Sequence, residues 1–245
     1  MKAVILAAGV ARRLYPVTLE IPKCLLAVGD HPIIDYQLSS LQSSGVTDVA
    51  VVVGYFREKV EEYLKNSFPA LDFTFIINEH FFETNTSYSL FLASEYMVNT
   101  EIILMNGDVL YPSELLRRVI DSDAANVLAV EVKPCGREEV KIIEGENNRV
   151  VAIGKELIQE NALGEFIGVA KLSSEFSSRL VTSLDHLIGA GGKVDYFEAA
   201  IELLLSETEV FYENVSDLPC IEIDFAEDLE KAEKLAGSDW FRNQF

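Results

Sequence analysis

Three cations, Arg12, Arg13 and Lys23, stand in the stretch Leu6 to Val28, LAAGVARRLYPVTLEIPKCLLAV, which holds a single acid, Glu20. Residues of these types suit phosphate. An arginine fork grips phosphate oxygens at two points, whereas a lysine acts as a point charge. Gly9 permits the turn that aims exposed backbone N–H groups at an anion. Pro16 and Pro22 keep the segment from running on as a helix and limit its entropy. A glycine turn with a few basic residues is common on its own. The density of cations here, in a chain of formal charge −20, favours a phosphate loop.

The elements around this loop follow from hydrophobic period. Ala3 to Ala8 is a short apolar run that reads as a buried parallel strand, and Val49 to Val53 is a β-branched run covered on both faces. Cys24–Val28, Phe73–Ile77 and Glu101–Met105 read as further strands. Helices are expected over Pro32–Ser44, Phe56–Lys65 and Ser87–Met97, so the first half alternates β and α. Asn106-Gly107-Asp108 then falls at the carboxyl end of a central strand, where open α/β sheets place ligands. The second half predicts strands at Ala125–Val132, Val140–Ile143, Arg149–Ile153, Phe166–Leu172 and Pro219–Ile223. Gly145-Glu146-Asn147-Asn148 reads as a hairpin turn. Helices are expected over Glu175–Ile188, Tyr196–Leu205 and Phe225–Leu235, with Gly189-Ala190-Gly191-Gly192 as a flexible joint. The fold class is α/β: a Rossmann-like mixed, mostly parallel sheet flanked by helices, with an inserted antiparallel region, in one domain over residues 1–245.

Composition narrows the partners. A net charge of −20 with a pI near 4.5 argues against nucleic acid or an anionic membrane as the main partner, while leaving a small anionic substrate possible beside the local cations. Cys24, Cys135 and Cys220 are odd in number and widely spaced, as reduced thiols of a cytoplasmic protein would be. The N-terminal apolar run is too short for a secretion signal, and no stretch is long enough to span a bilayer. His31, His80 and His186 form no metal-ligand spacing.

Leu6, Ala7, Ala8, Gly9, Arg13, Leu14, Pro16, Thr18, Pro22, Lys23 and Leu25 resemble the signature L-A-A-G-x-G-x-R-L-x-P-x-T-x-x-x-P-K-x-L of the nucleotidyltransferases that join a nucleoside monophosphate to a sugar or alcohol phosphate. Ala11 stands where the signature has its second glycine, and its methyl is expected to crowd the triphosphate. Asn78, Asn85, Tyr88, Ser89 and Leu90 resemble the N…N-x-x-Y-S-L segment of the short phosphocholine, inositol-phosphate and phosphonate cytidylyltransferases. The resemblance covers nearly the whole chain and implies the nucleotide-diphospho-sugar transferase fold. It implies nucleotide contacts at Leu6, Ala8, Gly9, Ala11, Arg13, Asn85, Ser89 and Asp108, and Mg²⁺ held by Asp108 and Asp224. It also implies an acceptor pocket lined by Glu165, Asp195, Tyr196, Glu198 and Glu222.

Each of these residues has a structural alternative. Asp224, with Glu227 three residues on, fits an N-cap in a capping box. Asp108 fits the end of a turn after Gly107, Lys23 a solvated turn lysine, and Asn85 and Ser89 polar helix-start residues. Acids are plentiful in this chain, so Glu165, Asp195 and Glu198 carry little weight singly.

The implied reaction is attack by an acceptor phosphate or phosphonate oxygen on the α-phosphorus of a nucleoside triphosphate, CTP favoured, with pyrophosphate leaving. A phosphate monoester is largely ionised at neutral pH, so no general base is needed. Arg13 is assigned to the β and γ phosphates and Lys23 to the α-phosphoryl group. A sugar-1-phosphate transferase using UTP, GTP or dTTP is one alternative, and a non-catalytic nucleotide sensor is another. A dinucleotide-dependent oxidoreductase would need G-x-G-x-x-G, and Gly9-Val10-Ala11-Arg12-Arg13-Leu14 supplies only the first glycine. The sequence leaves a homodimer open.

Overall fold

Strand β1 (Lys2–Ala7) lies at the centre of a nine-stranded sheet in the computed structural model, which describes residues 1–245. In chain order the other strands are β2 (Ala27–Val28), β3 (His31–Pro32), β4 (Asp48–Val53), β5 (Asp72–Ile77), β6 (Ile102–Asn106) and β7 (Val109–Leu110). They continue as β8 (Val127–Glu131), β9 (Lys141–Glu144), β10 (Val150–Gly154), β11 (Gly164–Leu172), β12 (Phe211–Asn214) and β13 (Ile221–Glu222). The main sheet runs β10-β9-β11-β6-β1-β4-β5, with β8 paired to β11 and β12 to β8. β6, β1, β4 and β5 are parallel neighbours, whereas β11 meets β6, β8 and β9 antiparallel. The expected mixed sheet with an antiparallel insertion is therefore present.

The helices are α1 (Ile33–Ser43), α2 (Arg57–Ser67), α3 (Thr86–Leu92), α4 (Ser94–Met97), α5 (Ser113–Asp121), α6 (Ser174–Gly189), α7 (Glu198–Glu202), α8 (Ala226–Ala236) and α9 (Asp239–Arg242). Alternate residues of β1 enter opposite cores. Ala3 and Ile5 join a cluster of 27 buried residues with α1, α2 and α5, while Val4 and Leu6 join one of 26 with α3, α6 and α7. A third cluster of 10, including Leu14, Leu26, Ile33, Tyr36, Leu110, Ile223 and Phe241, seats the phosphate loop against α8. No helix is long and apolar enough to cross a membrane.

Four expectations need correction. Cys24–Val28 is not a strand: Lys23–Leu25 is a 3₁₀ turn, and only Ala27–Val28 pairs, with His31–Pro32. Pro22 (φ −68°) starts that turn, and burial of Cys24 and Leu25 needs a compact path rather than an extended one. The expected helix Ser87–Met97 breaks at Ala93, where Ser94 Oγ donates to the Phe91 carbonyl at 2.5 Å in competition with the helical pattern. Tyr196–Leu205 is helical only over Glu198–Glu202. The Gly189–Gly192 joint is closed into a turn that lays Gly192 against Leu187 and Asp195. Helix α5 and strand β12 are elements that the hydrophobic patterns did not predict.

Candidate active site

The carboxyl ends of β1 and β6 open into a cavity of about 370 Å³, lined by Leu6, Ala7, Ala8 and Gly9 from one strand end and Asn106, Gly107 and Asp108 from the other. Beyond β1 the backbone turns left-handed at Ala11 (φ 52°, ψ 51°). The buried Thr18 hydroxyl donates to the Ala11 carbonyl at 2.9 Å and fixes that turn. The methyl of Ala11 packs against the third cluster, so the substitution is accommodated by packing at the cost of backbone strain. A left-handed alanine costs about 1 kcal/mol relative to glycine. Ala11→Gly is expected to raise unfolding free energy by about 0.5–1 kcal/mol and Ala11→Val to lower it. Denaturant unfolding decides: a glycine variant no more stable than the parent would show that the methyl contacts outweigh the strain.

Lys23 stands at the middle of the site. Its Nζ donates to Asp108 Oδ2 at 2.8 Å and to Asp224 Oδ1 at 2.7 Å, joining positions 85 and 201 residues away. Burial disfavours the ammonium, but Asp108 and Asp224 more than reverse this and hold its pKa above the ordinary lysine value. The solvated-turn alternative for Lys23 is thus set aside. Arg13 Nη1 reaches Asp224 Oδ2 at 3.2 Å and its Nη2 reaches Glu138 at 3.4 Å, with the guanidinium 5.2 Å from the Phe225 ring.

Asp224 is not the helix cap. Phe225 is the N-cap of α8, and the Asp228 carboxylate accepts from the backbone N–H of Phe225 at 3.0 Å and of Asp224 at 3.3 Å. That frees the Asp224 carboxylate to face Lys23. Although burial raises its pKa, the Lys23 ammonium and Arg13 leave it below the ordinary carboxylate value.

The β7–β13 ribbon supplies a third acid. Glu222 pairs in register with Val109, and Ile223 N–H donates to the Asp108 carbonyl, so Asp108, Glu222 and Asp224 have carboxylate oxygens all within 4.8 Å of one another. Asp108 Oδ1 is buried without a partner. These hard oxygen donors, one of them unsatisfied, fit a divalent cation. The Glu222 side chain is exposed at the cavity, and loss of hydration there, followed by the Asp108 and Asp224 charges, raises its pKa above the ordinary carboxylate value.

Asn78, Thr84, Asn85, Thr86 and Ser89 form a polar wall. Asn78 Nδ2 donates to the hydroxyls of Thr84 and Ser89, both at 3.1 Å, and Asn85 Oδ1 accepts from Thr86 N–H as the N-cap of α3. The helix-start reading of Asn85 is therefore realised, and the residue lines the cavity as well.

Tyr196, Glu198, Glu222 and Lys155 also line the cavity, and Phe197 N–H, between the first two, donates to the Thr86 hydroxyl of the polar wall at 3.1 Å. Lys155 was not singled out from the sequence; its ammonium lies 4.1 Å from the centre of the Tyr196 ring. Glu198 is 3% exposed and its Oε2 has no partner, and burial raises its pKa to about 7. Its unfolded value is about 4.5. The folded state therefore keeps the proton longer, and this residue's contribution to stability falls as pH rises from about 4.5 through about 7. Glu198→Gln should match the parent near pH 4 and exceed it at pH 8 by up to about 3 kcal/mol. Equal gains at both pH values in denaturant unfolding would refute this. Two expected acceptor residues do not line the cavity. Glu165 pairs with Lys133 at 2.7 Å, which also holds Glu131 at 2.6 Å. Asp195 is exposed beside Gly192.

The family profile described as nucleotidyl transferase matches residues 2–139. The chain belongs to that nucleotidyl transferase family. This nucleotidyltransferase is 28% identical over 237 residues to the choline-phosphate cytidylyltransferase of Streptococcus pneumoniae, spanning 96% of this chain and 98% of the relative. It is 27% identical over 202 residues to the CTP:phosphoglutamine cytidylyltransferase of Campylobacter jejuni, covering 76% and 79% of the two chains. The solved structure of CTP:phosphocholine cytidylyltransferase from Streptococcus pneumoniae matches with TM-score 0.78 at 25% identity over 95% of this chain and 97% of that one. The inositol-1-phosphate CTP transferase from T. maritima shows the same fold at TM-score 0.78, 22% identity and coverage of 97% and 96%.

Proposed function

We propose that this nucleotidyltransferase transfers CMP from CTP to a small phosphorylated alcohol or phosphonate and releases pyrophosphate. The observation that carries the reading is Lys23 set between Asp108 and Asp224 at the mouth of the β1 glycine turn. Such an arrangement handles phosphate charge. None of the residues lining the cavity is a histidine. The Cys24 thiol, buried and raised to about 12, is a poor nucleophile. The acceptor must then arrive as its own nucleophile, which a phosphate or phosphonate dianion does at neutral pH.

In this reaction an acceptor oxygen forms a bond to the α-phosphorus while the bond from that phosphorus to the β-bridging oxygen breaks. The electron pair leaves with pyrophosphate. Bringing anion to anion is the difficulty, so positioning and charge neutralisation carry the rate. At about 4 Å and an effective dielectric near 20, one cation–anion contact is worth roughly 4 kcal/mol before desolvation. Lys23 supplies that contact at the reacting phosphorus. Lys155 is placed to receive the acceptor phosphate. Asp108 and Asp224, with Glu222 beside them, would hold Mg²⁺, which supplies electrostatic stabilisation of phosphate charge when bound.

The polar wall of Asn78, Asn85 and Ser89 suits the hydrogen-bonding edge of a pyrimidine, and the cytidylyl relatives favour CTP. Glu198 and Glu222 suit an ammonium or hydroxyl on the acceptor tail. Tyr196 already faces the Lys155 ammonium, which favours a compact amine or hydroxyl acceptor over a choline cage built on that ring. The test is a matrix of nucleoside triphosphates against phosphocholine, inositol phosphate, aminoalkyl phosphonates and sugar 1-phosphates, read by pyrophosphate release. Turnover confined to UTP, GTP or dTTP with a sugar phosphate would replace this reading. Nucleotide binding without pyrophosphate release from any pair would point to a sensor.

A further inference from the structure

Arg12 is the cation of the phosphate loop that has no carboxylate. Arg13 is held by Asp224 and Glu138, and Lys23 by Asp108 and Asp224. The Arg12 side chain makes no ion pair or hydrogen bond, although the chain carries 40 acids against 20 Lys and Arg. It lines the same cavity, and its guanidinium lies 5.6 Å from the centre of the Phe82 ring.

Local geometry separates the two arginines. Arg12–Leu14 is a 3₁₀ turn, in which neighbouring side chains project about 120° apart. With Arg13 directed at the acid cluster, Arg12 is directed away from it, toward Phe82, whose ring leans on Phe81. That aromatic arm is pressed against Gly54, just past the end of β4. A side chain at Gly54 would meet Phe81 Cβ at 2.8 Å and the Ala8 carbonyl at 2.9 Å, so only glycine there lets the arm close on the loop. Phe82 is 57% exposed and leans on Phe81 at 4.5 Å. A guanidinium lying against a ring uses its face and leaves its in-plane N–H donors free for oxygen.

We infer that Arg12 is a third phosphate-binding cation, which grips the terminal phosphates of the bound nucleoside triphosphate and, after transfer, the pyrophosphate. The position is one that the loop signature leaves free. This inference rests on the proposed triphosphate chemistry of the cavity, and it gives the β and γ phosphates a partner that is not already engaged with the acid cluster, as Arg13 is.

Calorimetric binding of CTP, CMP and inorganic pyrophosphate, with Mg²⁺ present, tests it on the whole chain and on Arg12→Ala and Arg12→Lys. Arg12 is exposed, so both variants should melt as the parent does. Arg12→Ala is expected to weaken CTP and pyrophosphate by about 10–100-fold, the range for a lost charge-assisted hydrogen bond, with CMP nearly unchanged. Arg12→Lys should recover part of the loss as a point charge. Equal weakening of CTP and CMP, or of neither, overturns the assignment. If the parent prefers another triphosphate, the same contrast with its monophosphate applies, and the CTP reading falls while Arg12 stands. An Arg12-dependent triphosphate affinity with no pyrophosphate release from any acceptor sinks the transferase reading and supports the inference. A parent that binds neither triphosphate nor pyrophosphate overturns both.

Discussion

Lys23→Ala is expected to lower turnover by about 10³-fold, the scale at which a preorganised donor to developing charge acts. In the absence of a divalent ion it is also expected to lower Tm by about 4–8 °C. The first effect follows from the proposed role of Lys23 at the reacting phosphate; the second follows from what it touches in the folded protein. Removing the ammonium leaves Asp108, Glu222 and Asp224 facing one another within 4.8 Å. Breaking a fully buried pair costs roughly 3–5 kcal/mol. Here Lys23 is 11% exposed but Asp108 and Asp224 are 28% and 33% exposed, so about 2 kcal/mol is expected. Saturating Mg²⁺ should narrow the Tm gap, because a divalent ion replaces the missing positive charge among the carboxylates. If Mg²⁺ raises both Tm values equally, Lys23 is not what balances the acids. If turnover of the variant stays near that of the parent, Lys23 leaves the mechanism.

Asp224→Ala should lower turnover by about 10²–10³-fold and move Mg²⁺ saturation to higher concentration. Asp228→Ala should do neither, while costing about 1 kcal/mol of stability through the lost cap. The contrast follows from the hydrogen bonds at the start of α8, where Asp228 accepts the two backbone donors and Asp224 receives Lys23 and Arg13. Kinetics over a Mg²⁺ titration together with thermal melts of both variants separates the roles. A normal Mg²⁺ profile for Asp224→Ala would return that residue to a structural part.

What the sequence made legible was set by local physics. The β-branched run at Val49–Val53 has one good solution, a strand with both faces covered, and β4 is fully buried along it. Gly9, Arg13 and Lys23 stand close together in the chain, so their shared chemistry was visible in one window. Glu222 joined the acid cluster only because β13 pairs with β7, a contact across more than a hundred residues that no periodicity reports. Lys155 sits in Gly154-Lys155-Glu156, a run with no pattern of its own, and becomes part of the site only when the antiparallel strands join the parallel ones edge to edge through β11 and β6. Asp224 offered a cap pattern with Glu227, yet the helix starts one residue later and takes Asp228 instead. Such a one-residue choice is below what spacing resolves. The apolar letters of Cys24–Val28 fit a strand equally well as a buried turn, and the demand that Lys23 face inward favoured the turn.

Lys141, buried within β9, has no carboxylate at its ammonium; it donates to the carbonyls of Arg137, Glu139 and Lys155 at 3.2, 3.1 and 2.6 Å. The arm it holds carries Glu138, which leans on Arg13, and the strand end it holds carries Lys155. Glu138 beside Arg13 and Lys155 beside Tyr196 are thereby moored to one buried ammonium. Its donors are satisfied by two pieces of chain, residues 137–139 just ahead of β9 and Lys155 just past β10, so this tie closes within a single hairpin through contacts local in sequence.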